Sequence, residues 1–167
     1  VVAFAVASPN RGVHLALHRG SLGGPGVPLL RVQSHCLPGT AFASLMCDCG
    51  TQVRRALELI QAAPAGVLVY LDQEARGHGL LAKVRVMSHL NRGLSLTQAQ
   101  FRAGRAADLR TYEVVSPILR YLGVNGPVDL LTDTPERAGE LARAGVIIRR
   151  RLSLGQDPGA GAVERGG

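Results

Sequence analysis

The sequence predicts an α/β fold, a layered sandwich with a mixed β-sheet flanked by helices. Three observations carry this reading. Short apolar runs bounded by turn residues, such as Gly66-Val-Leu-Val-Tyr-Leu71, alternate with segments whose apolar residues recur at helical spacing. Mixed strands in the first half give way to a strand–helix–strand order from Val128 onward. Composition agrees, since 167 residues with 46% hydrophobic and 19% charged content suit one globular core. Tryptophan is absent, so that core must be aliphatic. A single domain over 1–155 is expected, followed by a flexible Gly-, Ala- and Pro-bearing tail at 156–167.

Each element has a local reason. The opening Val1 to Ser8 reads as a strand or an expression remnant; it lacks a signal peptide's basic leader, and the missing initiator Met points to a trimmed chain. Gly12–His18 alternates as a strand, and the loop from Gly20 to Gly26 is rich in turn residues. Leu29–Gln33 is a strand broken by Pro38-Gly39. Gln52–Ala62 carries Val53, Ala56, Leu57 and Ile60 at helical spacing, so Cys49-Gly50 lies at a helix N-terminus. Backbone N–H groups and the dipole favour thiolates there.

Gly66–Leu71 reads as a buried strand ending in the polar loop Asp72-Gln-Glu-Ala-Arg-Gly-His-Gly79. Polar groups at such a strand end are where α/β folds place ligand sites. Leu80–Leu90 resumes helical character, and Gln98–Arg110 is arginine-rich with Arg102, Arg105 and Arg110. Val114–Leu122 is a helix stopped by Gly123. Val128–Thr132 is a strand, Thr134-Pro135 opens a helix through Ala144, and Val146–Ile148 is the last strand. There is no internal repeat and no run long enough to cross a membrane. The expected compartment is the reducing cytoplasm.

The net charge is +7, with Lys83 the only lysine. Such a balance favours anionic partners, and arginine supplies forks for phosphate and carboxylate. Arg149-Arg150-Arg151 reads as a solvated strand end rather than an RNA patch. No aromatic RNA-binding signature accompanies it, so nucleic acid is not the expected partner.

All three cysteines, Cys36, Cys47 and Cys49, fall within fourteen residues. Three thiolates can face one tetrahedral centre if the intervening segment folds back beside Cys47. Such a centre would keep one position open for water, as catalytic zinc sites do. Other readings stand beside this one: three small buried hydrophobes, a disulfide with one free thiol, or a four-ligand structural site that recruits His35.

Several motifs in order resemble the GTP cyclohydrolase II family. They are Arg31-Val-Gln-Ser-His-Cys-Leu-Pro-Gly-Thr40, Cys47-Asp-Cys-Gly-Thr-Gln52, Gln73-Glu-Ala-Arg-Gly-His-Gly-Leu80, Ala107-Asp-Leu-Arg110, Leu122-Gly-Val-Asn125 and Leu131-Thr-Asp-Thr-Pro135. The similarity runs from about Val13 to Gly155. It implies an enzyme that opens the guanine imidazole ring of GTP at C8, releasing pyrophosphate and formate and leaving a pyrimidinone ribosyl phosphate for riboflavin-type synthesis.

By this resemblance Cys36, Cys47 and Cys49 bind catalytic Zn2+, whose water attacks C8. Arg110 matches the residue proposed to attack the α-phosphate, with Asp108 its acid/base partner. Guanidinium is protonated at neutral pH, so a carboxylate must orient or deprotonate it; otherwise Arg110 only stabilises phosphate charge. The stretch Arg31, Gln33, Ser34 and His35, together with Gln52, Glu74, Arg76, Thr132 and Arg137, matches substrate-binding positions. Mg2+ accompanies the triphosphate, and a homodimer is implied.

The chain departs from the family pattern at several of these places. Gln33 and His35 replace a histidine and a glutamate, Ala75 a glycine, Leu96 a threonine, Arg137 a lysine, and Met87 the active-site tyrosine. Loss of that phenol suggests ring opening arrested before deformylation, leaving a formylamino pyrimidine. Other rival readings are a different purine nucleotide substrate, or an inactive nucleotide- or RNA-binding protein with structural zinc.

Overall fold

In the computed structural model, which describes residues 2–7, 12–104 and 108–155, the aliphatic runs pair into one sheet of six strands. In chain order these are β1 (Val2–Ala7), β2 (Val13–Arg19), β3 (Leu29–Ser34), β4 (Gly66–Leu71), β5 (Val128–Leu131) and β6 (Ile148–Leu152). The spatial order is β1-β2-β4-β3-β5-β6. β1–β2 and β2–β4 are antiparallel, whereas β4, β3, β5 and β6 run parallel. The opening residues thus form a paired edge strand, one of the two readings the sequence allows. The tail from Gln156, Arg105 and Ala107 of the Ala-Asp-x-Arg element lie outside the described residues.

Alternation along β3 explains the two layers. Leu30 and Val32 turn to one face, joining Val67, Val69, Val128 and Leu130 against Val115, Ile118 and Leu119 of α5 (Val115–Tyr121) and Leu141 of α6 (Pro135–Arg143). Leu29 turns to the other face with Leu68 and Leu131, against Ala56, Leu59 and Ile60 of α2 (Cys49–Ala62). With a period of two, Arg31 and Gln33 share that second face. The α/β sandwich is therefore borne out.

This topology places a crevice. From β3 the chain crosses to β4 on one side, and later reaches β5 on the other. The carboxyl end of β3 is therefore a topological switch point, where open α/β sheets bind ligands. The segment after β3 carries Cys36, and the polar loop follows β4. On the α3 side (Gly79–Asn91), the crevice is walled by a helix face carrying Lys83, Val86, Met87 and Leu90.

Two short helices lack a counterpart in the sequence reading. The Pro38-Gly39 break is in fact the start of α1 (Leu37–Ala41), where proline fits the first turn because no intrahelical donor is needed there. The arginine-rich stretch holds α4 (Leu96–Arg102), started by a capping box in which Gln98 N donates to Ser95 Oγ at 3.3 Å and Ser95 N to Gln98 Oε1 at 3.0 Å.

The last strand is a correction. The sequence places it at Val146–Ile148, but it occupies Ile148–Leu152, because Val146 turns into the core. Arg149-Arg150-Arg151 therefore forms the edge strand itself rather than its solvated end. Buried Asp129 holds it there, accepting from Arg149 Nε and NH2 at 2.8 and 2.6 Å and from Arg150 Nε at 3.0 Å. Burial pushes the Asp129 carboxyl up, but bonds from both arginines outweigh it and leave it below the usual carboxylate value.

Candidate active site

The Cys36–Cys49 segment folds back on itself at its glycines. A Cβ on Gly39 would lie 2.7 Å from Cys47 Sγ and 3.3 Å from Cys36 Sγ, and one on Gly50 would lie 2.2 Å from Gly39 O. Only hydrogen fits at either place, so α1 and the start of α2 approach backbone to backbone. The three Sγ atoms consequently lie within 4.8 Å of one another, with Cys36 and Cys47 at 3.6 Å. Tetrahedral thiolates on zinc at 2.3 Å stand about 3.8 Å apart. The donor set therefore fits a soft divalent ion.

The alternatives left open by spacing are narrowed. All three cysteines are free thiols. His35 does not join the sulfurs; its Nδ1 faces Asp72 Oδ1 at 3.6 Å and its ring tilts against Tyr70 at 5.5 Å between centroids. Among the described residues the group offers three ligand atoms and no fourth. Crowding also shapes the thiols. Burial, then the charge of Cys36, pushes Cys49 up to about 12. Burial likewise raises Cys36, whereas at Cys47 the backbone N–H of Cys49 and the neighbouring thiols overcome burial and lower it. A divalent cation relieves this crowding, since a bound thiol is deprotonated outright.

Residues the sequence reading missed hold the first cysteine. Tyr70 OH accepts from Cys36 N at 3.3 Å, and Thr40 Oγ1 donates to Cys36 O at 2.8 Å. Glu74 is buried, and its carboxylate accepts from Leu37 N at 2.6 Å and Ala75 N at 3.0 Å. It ties the loop after β4 to the first turn beyond Cys36. A tyrosine on a strand and a threonine on a helix carry no local signal for such roles.

A cleft of about 290 Å³ opens beside the sulfurs. It gathers Gln33, Ser34, His35, Cys36, Cys47, Cys49, Gln52, Glu74, Arg76, Met87, Arg110 and Arg137 from the expected set. Asp108 stands beside it through Arg110. Arg31 lies beneath rather than within: its NH2 donates to Gln33 Oε1 at 2.6 Å and Gln52 Oε1 at 2.7 Å, and its NH1 to Leu131 O at 3.0 Å. Thr132 is buried at the end of β5, accepting from Thr134 N at 3.2 Å. The positions that depart from the family pattern, Gln33, His35, Ala75, Met87, Leu96 and Arg137, all line this one cleft.

The cleft is cationic. Arg76, Lys83, Arg110 and Arg137 line it, while Glu74, the one acid among the described residues that line it, is engaged with backbone N–H groups. Arg110 Nε donates to Asp108 Oδ1 and Oδ2 at 2.9 and 3.1 Å, and its NH2 also reaches Oδ2. These bonds lower the Asp108 carboxyl and raise Arg110. The pair therefore holds Arg110 as a fixed cation rather than a neutral base. Among the described residues Ser34 Oγ, Gln73 Oε1 and Arg137 Nε are buried without a hydrogen-bond partner, so this lining has polar atoms to spare for a ligand.

The sequence profile of the GTP cyclohydrolase II family matches residues 1–153. The chain belongs to that family. It is 38% identical over 147 residues to a GTP cyclohydrolase-2 of Hahella chejuensis, covering 87% of this chain and 70% of the relative. It is 41% identical over 142 residues to the GTP cyclohydrolase-2 of Azotobacter vinelandii, covering 84% and 67%. A riboflavin biosynthesis protein of Vibrio vulnificus is 40% identical over 141 residues, which is 84% of this chain and 38% of that longer protein. The resemblance stated from the motifs is thus borne out, and with it an enzyme of the hydrolase class. No helix among the described residues is long and apolar enough to cross a membrane.

Proposed function

We propose that this hydrolase opens the imidazole ring of GTP at C8, releasing pyrophosphate and formate and forming a pyrimidinone ribosyl phosphate. The observation that carries the reading is the meeting of three free sulfurs and a four-cation lining in one cleft. Cys36, Cys47 and Cys49 would hold Zn2+, which when bound supplies a water acidic enough to act at neutral pH. Arg76, Arg110 and Arg137 would take the triphosphate with its Mg2+, and electrostatic stabilisation is what phosphoryl chemistry mainly asks of a protein. Asp108 orients Arg110; with its guanidinium held charged, we assign it phosphate stabilisation rather than attack.

Gln33, Ser34, His35 and Gln52 would face the purine and ribose, with Arg31 bracing both glutamines from below. Thr132 and Glu74 would act through backbone placement. Residues 1–155 would make up the catalytic domain, working in the cytoplasm, where thiols stay reduced. Exposed Phe42, Leu80 and Val84, which line one apolar groove, would offer a face for a homodimer. Incubating zinc-loaded protein with GTP and Mg2+ and identifying products by mass tests the reading. Formate, pyrophosphate and the diaminopyrimidinone support it; unchanged GTP, with zinc bound, sinks it.

A second reading is favoured by Met87 and Leu96, which give the cleft wall apolar groups where hydrogen-bonding residues were expected. Without a phenol there, ring opening would stop at the formylamino pyrimidine. Comparing formate yield between wild type and Met87→Tyr decides: a rise of about tenfold or more supports arrest, and full formate release by wild type refutes it.

A further inference from the structure

The bonds between Arg110 and Asp108 join residues two apart, so they hold the guanidinium against its own segment rather than against the cleft. That segment, 108–111, lies outside every helix and strand, and the chain is next anchored at Tyr112, which is buried in the core. Two hydrogen bonds tie it to the loop after β4. Leu109 N donates to Arg76 O at 3.0 Å, and Gln73 Nε2 donates to Thr111 O at 2.7 Å. One tie falls just before Arg110 and the other just after it. Leu109 also lies against Gly77 of the same loop, where an added Cβ would stand 3.1 Å from Leu109 Cβ.

Of the two ties, only the one from Gln73 is made by a side chain. A carbonyl oxygen only accepts, so the amide nitrogen must face Thr111 O, and the orientation of Gln73 is fixed. Its Oε1 is then buried with no hydrogen-bond partner among the described residues, which costs stability. An apolar side chain of the same length would fill the space without that cost; the bond to Thr111 O is what an amide adds there. Glutamate could not replace it, since a carboxylate presents acceptors alone. The next residue, Glu74, accepts from Leu37 N beside Cys36, so one strand end anchors both the sulfur side and the arginine side of the cleft. We propose that Gln73 is a positioning residue that holds Arg110 at its place in the cleft. The inference rests on the phosphate role given to Arg110 above.

The test follows pyrophosphate release from GTP and Mg2+ by zinc-loaded wild type, Gln73→Met, Arg110→Ala and the double variant, together with hydrogen exchange at the Leu109 amide. Gln73→Met should lower kcat by about tenfold or more and leave KM within about threefold, because a small misplacement costs rate before it costs binding. In the Arg110→Ala background the same change should cost less than about twofold, since the group it places is gone. Leu109 N–H should exchange about tenfold faster in Gln73→Met. Should Gln73→Met fail to fold by circular dichroism, Gln73→Leu takes its place. Equal losses in the two backgrounds, which direct contact of Gln73 with the nucleotide would give, overturn the inference while the function reading stands. A wild type that leaves GTP unchanged sinks the function reading instead; the exchange measurement then decides the tether by itself, and an unchanged rate at Leu109 in Gln73→Met overturns it.

Discussion

The sulfur corner of the cleft and its cationic side are built by contrasting means. Around the cysteines the chain is packed backbone to backbone: Gly39 touches Gly50, and no Cβ fits at either. On the other side, Arg76 and Arg110 reach the cleft from a loop, each steadied by one polar neighbour and still partly open to solvent. The first arrangement sets sulfur positions by exclusion, so it tolerates almost no change. The second sets charges by tethering, so substitution there should cost binding and rate but not the fold. Fixed geometry is what a metal site would demand, and adaptability would be enough for docking a flexible phosphate chain.

Gly39→Ala probes the rigid side hardest. Its methyl would sit on Cys47 Sγ, so if the sulfurs hold zinc as proposed, zinc uptake should fall to near zero and turnover by about a thousandfold or more. Metal analysis with a melting curve checks this; full zinc content would show that the corner yields. Arg110→Ala probes the tethered side. About a hundredfold loss in kcat is expected with zinc content and melting temperature unchanged, and a comparable loss of stability would contradict the contrast.

Two acid–arginine pairs repeat the contrast outside the sulfur corner. Asp108 is 41% exposed beside Arg110, whereas Asp129 is 4% exposed beneath Arg149 and Arg150. Asp129→Ala should cost about 3 kcal/mol in urea unfolding by stranding arginines over a buried gap, while Asp108→Ala should cost about 1 kcal/mol or less. Both carboxyls lie below their ordinary values, so each contributes fully above the usual carboxylate range near about 3.9 and loses its contribution as pH falls through its lower folded value. Stability curves of wild type and Asp129→Asn should therefore converge only below about pH 4; convergence nearer neutrality would refute the assignment.

The smallest effect belongs to the loop after β4. Ala75 and Arg76 adopt φ values of 56° and 61°, the left-handed region that glycine occupies without strain. Ala75→Gly should stabilise the fold by about 1 kcal/mol, read as a raised melting temperature. A decrease would mean that the Ala75 methyl, 7% exposed, adds more by packing than its backbone costs.

Much of this protein is legible locally. Turn residues bound Gly66–Leu71 as a strand, the spacing of Val53, Ala56, Leu57 and Ile60 marks a helix, and cysteine clustering with the later motifs names the family. The capping box at Ser95 is equally local, a Ser followed three residues later by Gln98. What no local pattern carries is burial. Leu29 to Gln33 reads as a plain strand, yet Arg31 on it is 3% exposed and bonds to Leu131, a hundred residues away. The same holds for Glu74 as a brace, for Tyr70 behind Cys36, and for Arg149 and Arg150 over Asp129.

The sequence by itself determined the residue chemistry, the α/β alternation and the three-sulfur set, because these depend on covalent neighbours and on periods of two and 3.6 residues. Tertiary structure decided which arginine serves the cleft and which supports it, where β6 begins, and how closely the sulfurs stand. Those outcomes depend on partners brought together only when the sheet closes, and on whether water still reaches each charge once it has.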